Sequence, residues 1–239
     1  MKNKIQNYWS NITNKKVFIA TAIAILFHTI GLVGFLFLNK PLFALATPFN
    51  LMLSFGLLIY TQKNKSKAFY FFIAMACGIG FAAEAFGVNT GLLFGSYSYT
   101  NVLGFKILGV PIIIGLNWFI VIYCSGVTTH TIINKAISAI ATETKLPPKT
   151  LNAISVIIDG ATLAVFFDWV LEPVAIKLNF WHWANADKIP LYNYISWFVI
   201  SLIILTIFHF SKFDKQNKFA VNLLLIQLMF FLLLQTFLK

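Results

Sequence analysis

Residues 151–177 read LNAISVIIDGATLAVFFDWVLEPVAIK, a stretch with no basic residue until Lys177 but three acids, Asp159, Asp168 and Glu172. It exceeds the ~20 apolar residues that carry a helix across a bilayer. A carboxylate in hydrocarbon costs several kcal/mol unless it is paired, hydrated or protonated, so each acid here is a functional-site candidate. Positions 168 and 172 are i, i+4 neighbours on one helical face, ~6 Å apart. Asp159 lies nine residues earlier, ~13 Å deeper and half-way round the helix, and is expected to hydrogen-bond inside the bundle. Pro173 removes a donor to the carbonyl of Trp169, so a kink or loosening is expected beside the pair.

Six more stretches of the same kind flank this one: Val17–Leu38, Leu42–Tyr60, Ala68–Phe86, Ile107–Val127, Tyr194–Phe210 and Phe219–Leu238. The chain is 59% hydrophobic and 10% charged over 239 residues, against about 25% charged in soluble domains. We therefore expect an all-α polytopic helix bundle of about seven transmembrane helices, with residues 1–239 forming a single integral membrane domain. The first stretch is too long for a secretory h-region and reads as a retained span. Cys77 and Cys124 fall in spans with no CxxC and read as packing residues.

A formal charge of +11 would suggest nucleic acid in a soluble protein. Here every basic residue is Lys, and the guanidinium forks that read bases are missing, so no nucleic-acid partner is expected. The lysines instead alternate along the connectors. Thirteen fall before the first span and between spans two and three, four and five, and six and seven; five fall on the other side. The positive-inside rule then puts the protein in the cell membrane, N-terminus cytoplasmic and C-terminus outside.

That topology places Glu84, Asp168 and Glu172 at one depth, near the outer ends of the third and fifth spans. The connectors opening there are rich in Gly and aromatics: GVNTGLLFGSYSYT over 87–100, NFWHW over 179–183 and PLYNY over 190–194. No glycine pattern here has the strand and Lys-Ser/Thr of a phosphate loop, and HExxH and Asp-rich magnesium motifs are absent. No metal or cofactor is expected. The plainer readings are an interfacial belt for the Trp and Tyr residues and a structural hydrogen-bond network for the acids. Three acids at one depth without arginine are a costly way to hold helices together.

EAFGVNTG over 84–91, FGSYSY over 94–99, GVP over 109–111, Asn117-Trp118, DWVLEPVA over 168–175, WHW over 181–183 and PLYNYISW over 190–197 together resemble the membrane carotenoid-biosynthesis proteins. These include the carotenoid 1,2-hydratases acting on γ-carotene-type and bacterioruberin-type precursors, such as bisanhydrobacterioruberin hydratase. The resemblance covers about residues 70–200. It implies a cofactor-free enzyme adding water to the terminal C1=C2 bond of an acyclic carotenoid end group that arrives through the bilayer, and association with other carotenoid enzymes. Chemistry then suggests roles. Glu84, Asp168 and Glu172 divide proton delivery, cation stabilisation and water activation, since burial favours a neutral acid and close acids diverge. Tyr97, Tyr99, Trp169, Trp181 and Trp183 are candidate cation-facing or polyene-packing rings, Trp118 is a further substrate-binding candidate, and Asn89, Asn117 and Asn193 are candidates to position water. The alternatives are a carotenoid cyclase, where an internal double bond captures the cation, and a proton-coupled carrier.

Reporter fusions test the orientation: those at Lys65 and Ser211 should report cytoplasm, and those at Ser96 and Asp187 the outer side. The reverse pattern would overturn the topology.

Overall fold

The computed structural model describes residues 2–140, 148–185 and 189–238; Glu143 and Asp187 lie outside them. Among the described residues seven helical segments are long and apolar enough to cross a membrane, and the chain is an all-α membrane bundle. The first six helices are α1 (Lys2–Phe37), α2 (Lys40–Leu45), α3 (Thr47–Thr61), α4 (Lys67–Thr90), α5 (Ile113–Ile140) and α6 (Pro148–Lys177). They are followed by α7 (Leu191–Phe210) and α8 (Lys218–Phe237). Four short strands sit between helices: β1 (Tyr97–Tyr99), β2 (Lys106–Ile107), β3 (Val110–Pro111) and β4 (Trp181–Trp183).

α5 packs against α3, α4, α6, α7 and α8. It is the most buried of the spans and the least hydropathic, because a helix sheathed by other helices need not match lipid. Ser125, Thr128 and Thr129 on it are buried accordingly.

Three sequence expectations shift. The second span is two helices meeting at Ala46, with Pro48 in the first turn of α3; lacking an N–H, and crowding the residue before it, proline breaks the helix there. The third span continues past Phe86 to Thr90, so Gly87 and Asn89 are helical. Gly91, at φ 69°, stops it, its N–H bonding the Gly87 carbonyl at 2.8 Å. The fourth span starts at Ile113 rather than near Ile107. Residues 106–111 form a β2–β3 hairpin pairing Lys106 with Pro111 and Ile107 with Val110, turning on Leu108 and Gly109 with φ 52° and 82°. Pro173 does not interrupt α6, which runs through it to Lys177.

Gly80 decides how closely α4 and α5 approach. A Cβ built there would lie 2.2 Å from Trp118 Cγ, so the bare backbone is what lets the indole settle against α4, one helical turn below Glu84. Gly80→Ala should therefore destabilise the protein by about 1–3 kcal/mol, the usual cost of overpacking, as a lowered unfolding midpoint in detergent. An unchanged midpoint would show that the two helices part without cost.

Candidate functional site

α4 and α6 each end in a left-handed cap that turns the chain back over the bundle. After α6 the N–H of Phe180 bonds the Ala175 carbonyl and that of Asn179 bonds Ile176, both at 3.0 Å. Asn179 sits at φ 61°. This is the two-bond Schellman arrangement, with asparagine in the position glycine usually takes. The chain leaving it becomes β4, which pairs antiparallel with β1 from the other connector: Tyr97 opposite Trp183, Ser98 opposite His182, Tyr99 opposite Trp181. The ribbon is extended by Thr100 N–H to Phe180 O at 3.0 Å and Ala184 N–H to Ser96 O at 2.9 Å. Side chains alternate across a strand, so Tyr97, Tyr99, Trp181 and Trp183 point one way, into the bundle. Ser98 and His182 point the other way and are exposed. His182, the one histidine near the site in sequence, therefore faces away from it.

Beneath the ribbon lie the three carboxyls, buried to 5% exposure or less. Among the described residues, every hydrogen bond they receive comes from a neutral donor. Glu84 Oε2 accepts from the hydroxyls of Tyr97 and of Tyr99 (2.9 Å), and its Oε1 from Trp118 Nε1 at 3.0 Å. Glu172 Oε2 accepts from Trp181 Nε1 at 3.2 Å and Trp183 Nε1 at 3.1 Å. Asn193 Nδ2, on α7, donates to Asp168 Oδ2 at 2.7 Å and, more weakly, to Glu172 Oε1 at 3.4 Å. Asp168 thus has one donor among the described residues, where Glu84 has three. Burial, then the nearby Glu84 charge, pushes the hydroxyls of Tyr97 and Tyr99 well above the ordinary tyrosine range, so both stay protonated donors.

All three carboxyls line one cavity of about 20 Å³. That exceeds the ~10–15 Å³ needed to hold one water and falls far short of the ~300 Å³ at which ligand pockets begin. Its wall includes Tyr97, Tyr99, Trp181, Trp183, Asn117 and Asn193. Trp118 lies behind Glu84 and stacks on Trp197 at 3.9 Å between ring centroids, 13° from parallel.

The structure leaves two expected residues outside. Asn89 is exposed on α4, its Nδ2 donating to the Ala85 carbonyl at 2.7 Å and the Leu108 carbonyl at 2.9 Å. It ties the β2–β3 hairpin to the helix and is not placed to hold water in the cavity. Trp169 is 51% exposed and stacks on Phe166: one residue past Asp168 turns it about 100° around α6, onto the surface. Asp159 is likewise exposed on α6 and not inside the bundle as expected. Conversely Trp197 lines the cavity and belongs with the site. The signal was its i+4 spacing from Asn193, the relation that joins Asp168 to Glu172.

Among the described residues no group of His, Cys, Asp and Glu has the arrangement of a metal site. Residues 41–239 match a family model described as carotenoid biosynthesis protein, and the chain belongs to that family. The match extends beyond the motif-bearing region to include α2, α3 and α8. No curated protein and no solved structure matches the chain.

Above about pH 10, the ordinary tyrosine value, the unfolded chain gives up protons that folded Tyr97 and Tyr99 keep. The folded state then binds more protons, so their contribution to stability is present below that pH and lost as pH rises. Thermal unfolding between pH 8 and 11 should show a steeper alkaline fall for the native protein than for a Tyr97→Phe/Tyr99→Phe variant. Parallel curves would mean the hydroxyls titrate freely. Near neutral pH, Tyr99→Phe alone should cost about 1.5–3 kcal/mol, the range for a hydrogen bond to a charged group.

Proposed function

We propose that this protein is an enzyme of carotenoid biosynthesis that hydrates the terminal C1=C2 bond of an acyclic carotenoid end group. The observation carrying the reading is the trio of buried carboxyls, all hydrogen-bonded by neutral groups, around a cavity sized for one water beneath four aromatic rings. Markovnikov hydration needs these parts: a neutral acid to protonate C2, negative charge and π faces for the tertiary cation at C1, and a held water with a base to receive its proton.

The hydrogen-bond supply divides the roles. Donors favour the ionised form of the carboxyl that accepts them. Glu84, with three, carries charge and faces the cation as its counter-ion. Asp168, with one, holds the proton and delivers it to C2. Water resting against Asn117 and Asn193 attacks C1 and forms the C–O bond, and its proton passes to Glu172. A proton moving from Glu172 to its i−4 neighbour Asp168 restores the starting state. The net change is one alkene and one water to one tertiary alcohol, with no electron transfer and no cofactor.

A cavity of about 20 Å³ admits the water but not the end group. Substrate binding therefore requires the β1–β4 ribbon to lift or α7 to shift, bringing the C1=C2 bond between Asp168 and the Tyr/Trp face. The polyene itself stays in the bilayer. A cyclase would share the protonation step but has no use for a water site, and a cyclised product isomeric with the precursor is the result that would favour it. A proton carrier needs acids stepping across the membrane; the buried ones here gather at one end.

In a host accumulating acyclic carotenoids, expression should yield pigment heavier by one water. Asp168→Asn and Glu84→Gln should each lower product formation at least 100-fold, general acid catalysis alone supplying about 10²–10⁴, while the protein still accumulates folded in the membrane. Glu172→Gln should slow turnover less than Asp168→Asn if solvent can replace it as base. In deuterated water the product should carry one non-exchangeable deuterium at C2, with hydroxyl oxygen from water. Oxygen from O₂, or full activity in both acid variants, would reject the mechanism.

A further inference from the structure

The opposite, lysine-rich end of the bundle holds a second concavity of about 1070 Å³, at the upper limit of small-molecule sites and unrelated to the carboxylate site. We propose that it binds the phosphate headgroup of an amphiphile whose apolar chain leaves past Val17, Tyr60 and Val221. Lys16 comes from α1, Lys63 and Lys65 from the α3–α4 connector, and Lys218 from the first turn of α8, and all four line this one space. Among the described residues no Asp or Glu lines it. Asp214, close in sequence to α8, is the acid nearest the rim: its carbonyl accepts from Gln62 Nε2 at 2.6 Å and its carboxylate accepts the N–H of Gln216, a lining residue, at 2.8 Å.

Lysines at a membrane face normally serve orientation and spread over the surface. Here, segments far apart in sequence bring them around a rigid floor. Gln62 and Asn217 are buried to 2% and 3% exposure. Gln62 accepts from the Tyr123 hydroxyl, and Asn217 donates to Thr61 Oγ1 at 3.1 Å while its Oδ1 caps α8 through Phe219 N–H at 3.1 Å. The polar side chains of the floor are thus already partnered; above them Lys65 reaches the Gln62 carbonyl at 3.4 Å, and an ammonium with three N–H donors still has bonds to give a ligand. The start of α8 opens into the same space, adding the positive end of its dipole. Lysine binds phosphate as a point charge without the geometric demands of arginine, consistent with a chain that has no arginine. The walls run into the bilayer: Val17 and Val221 lie at the start of their spans, and Tyr60 at the end of α3 carries the Lys16 ammonium over its ring at 5.1 Å. A lone inorganic anion has no use for such walls; an amphiphile does.

The test uses the full chain in phosphatidylcholine nanodiscs, challenged separately with phosphatidylglycerol and with inorganic pyrophosphate, reading the unfolding midpoint and bound lipid by native mass spectrometry. Phosphatidylglycerol should be retained and should raise the midpoint. Lys16→Gln/Lys218→Gln should weaken retention about tenfold or more, as expected for two lysines near a phosphate. Lys67→Gln/Lys212→Gln, which removes equal charge at the same end but outside the cavity, should leave retention unchanged. Protection by pyrophosphate without retention of phosphatidylglycerol, lost in the first pair and kept in the second, would overturn the amphiphile and assign the site to a soluble phosphorylated ligand. Equal losses in both pairs would attribute binding to the general charge of that end and overturn the proposal. Protection by neither probe would overturn it as well.

Discussion

Three carboxyl groups are buried together at one end of this bundle without a cation among their hydrogen-bond partners in the described residues, and much of the local architecture answers that burden. A buried ionised group survives only if its lone pairs are supplied with donors. Lysines would supply them by neutralising the charge. The fold instead uses phenols, indoles and one amide, which stabilise a charge without cancelling it and leave the acids chemically open. This choice explains why two connectors must pair. Neither span can offer so many neutral donors at one depth, but a two-stranded ribbon of alternating aromatics can, since its period of two sends Tyr97, Tyr99, Trp181 and Trp183 to one face. The glycine cap of α4 and the asparagine cap of α6 aim the strands; Gly80 clears the space for Trp118.

The bundle and the gathering of the acids were legible because both follow from the bilayer. Spans are long apolar runs, and counting along them gives depth, so Glu84 and the Asp168/Glu172 pair fall at one end by arithmetic. What escaped reading was whatever depends on rotation about a helix or on pairing between distant segments. Trp169 adjoins Asp168 in sequence yet faces outward because one helical step is about 100°. Asn89 belonged to a helix that Gly91 ends later than hydropathy suggests, and its amide serves the β2–β3 hairpin. Ile107–Ile112 is apolar enough to pass for membrane, but the positive φ at Leu108 and Gly109 makes it a turn. The WHW and YSY triplets carried a strand's alternation openly; their antiparallel register, joining residues more than eighty apart, was not contained in either.

The two ends of the molecule solve opposite problems. At the aromatic end three carboxyls enclose a cavity of about 20 Å³. At the other, positive charge surrounds an open space some fifty times larger. α5 links them, since Trp118 near its start serves Glu84 and Tyr123 near its middle serves Gln62. From Trp118 to Thr129 that helix is buried throughout, which lets it carry polar contacts to both sites.

Confinement of water is also what makes the proposed chemistry selective. A tertiary cation beside bulk water is captured at once, or loses a proton to return to alkene. In a closed apolar chamber its fate depends on what was enclosed with it. In the proposed mechanism, space for one water beside the asparagine amides and the carboxyl that takes its proton makes addition the nearest outcome. Had the same acids faced a chamber shaped around the folded polyene with no polar corner, an internal double bond would be the nearest nucleophile and the product a ring. Hydration and cyclisation thus differ less in the acid that starts them than in the few cubic ångströms beside it. Asn117, Asn193 and Trp197, which bound that volume, are accordingly the residues through which product identity would be set.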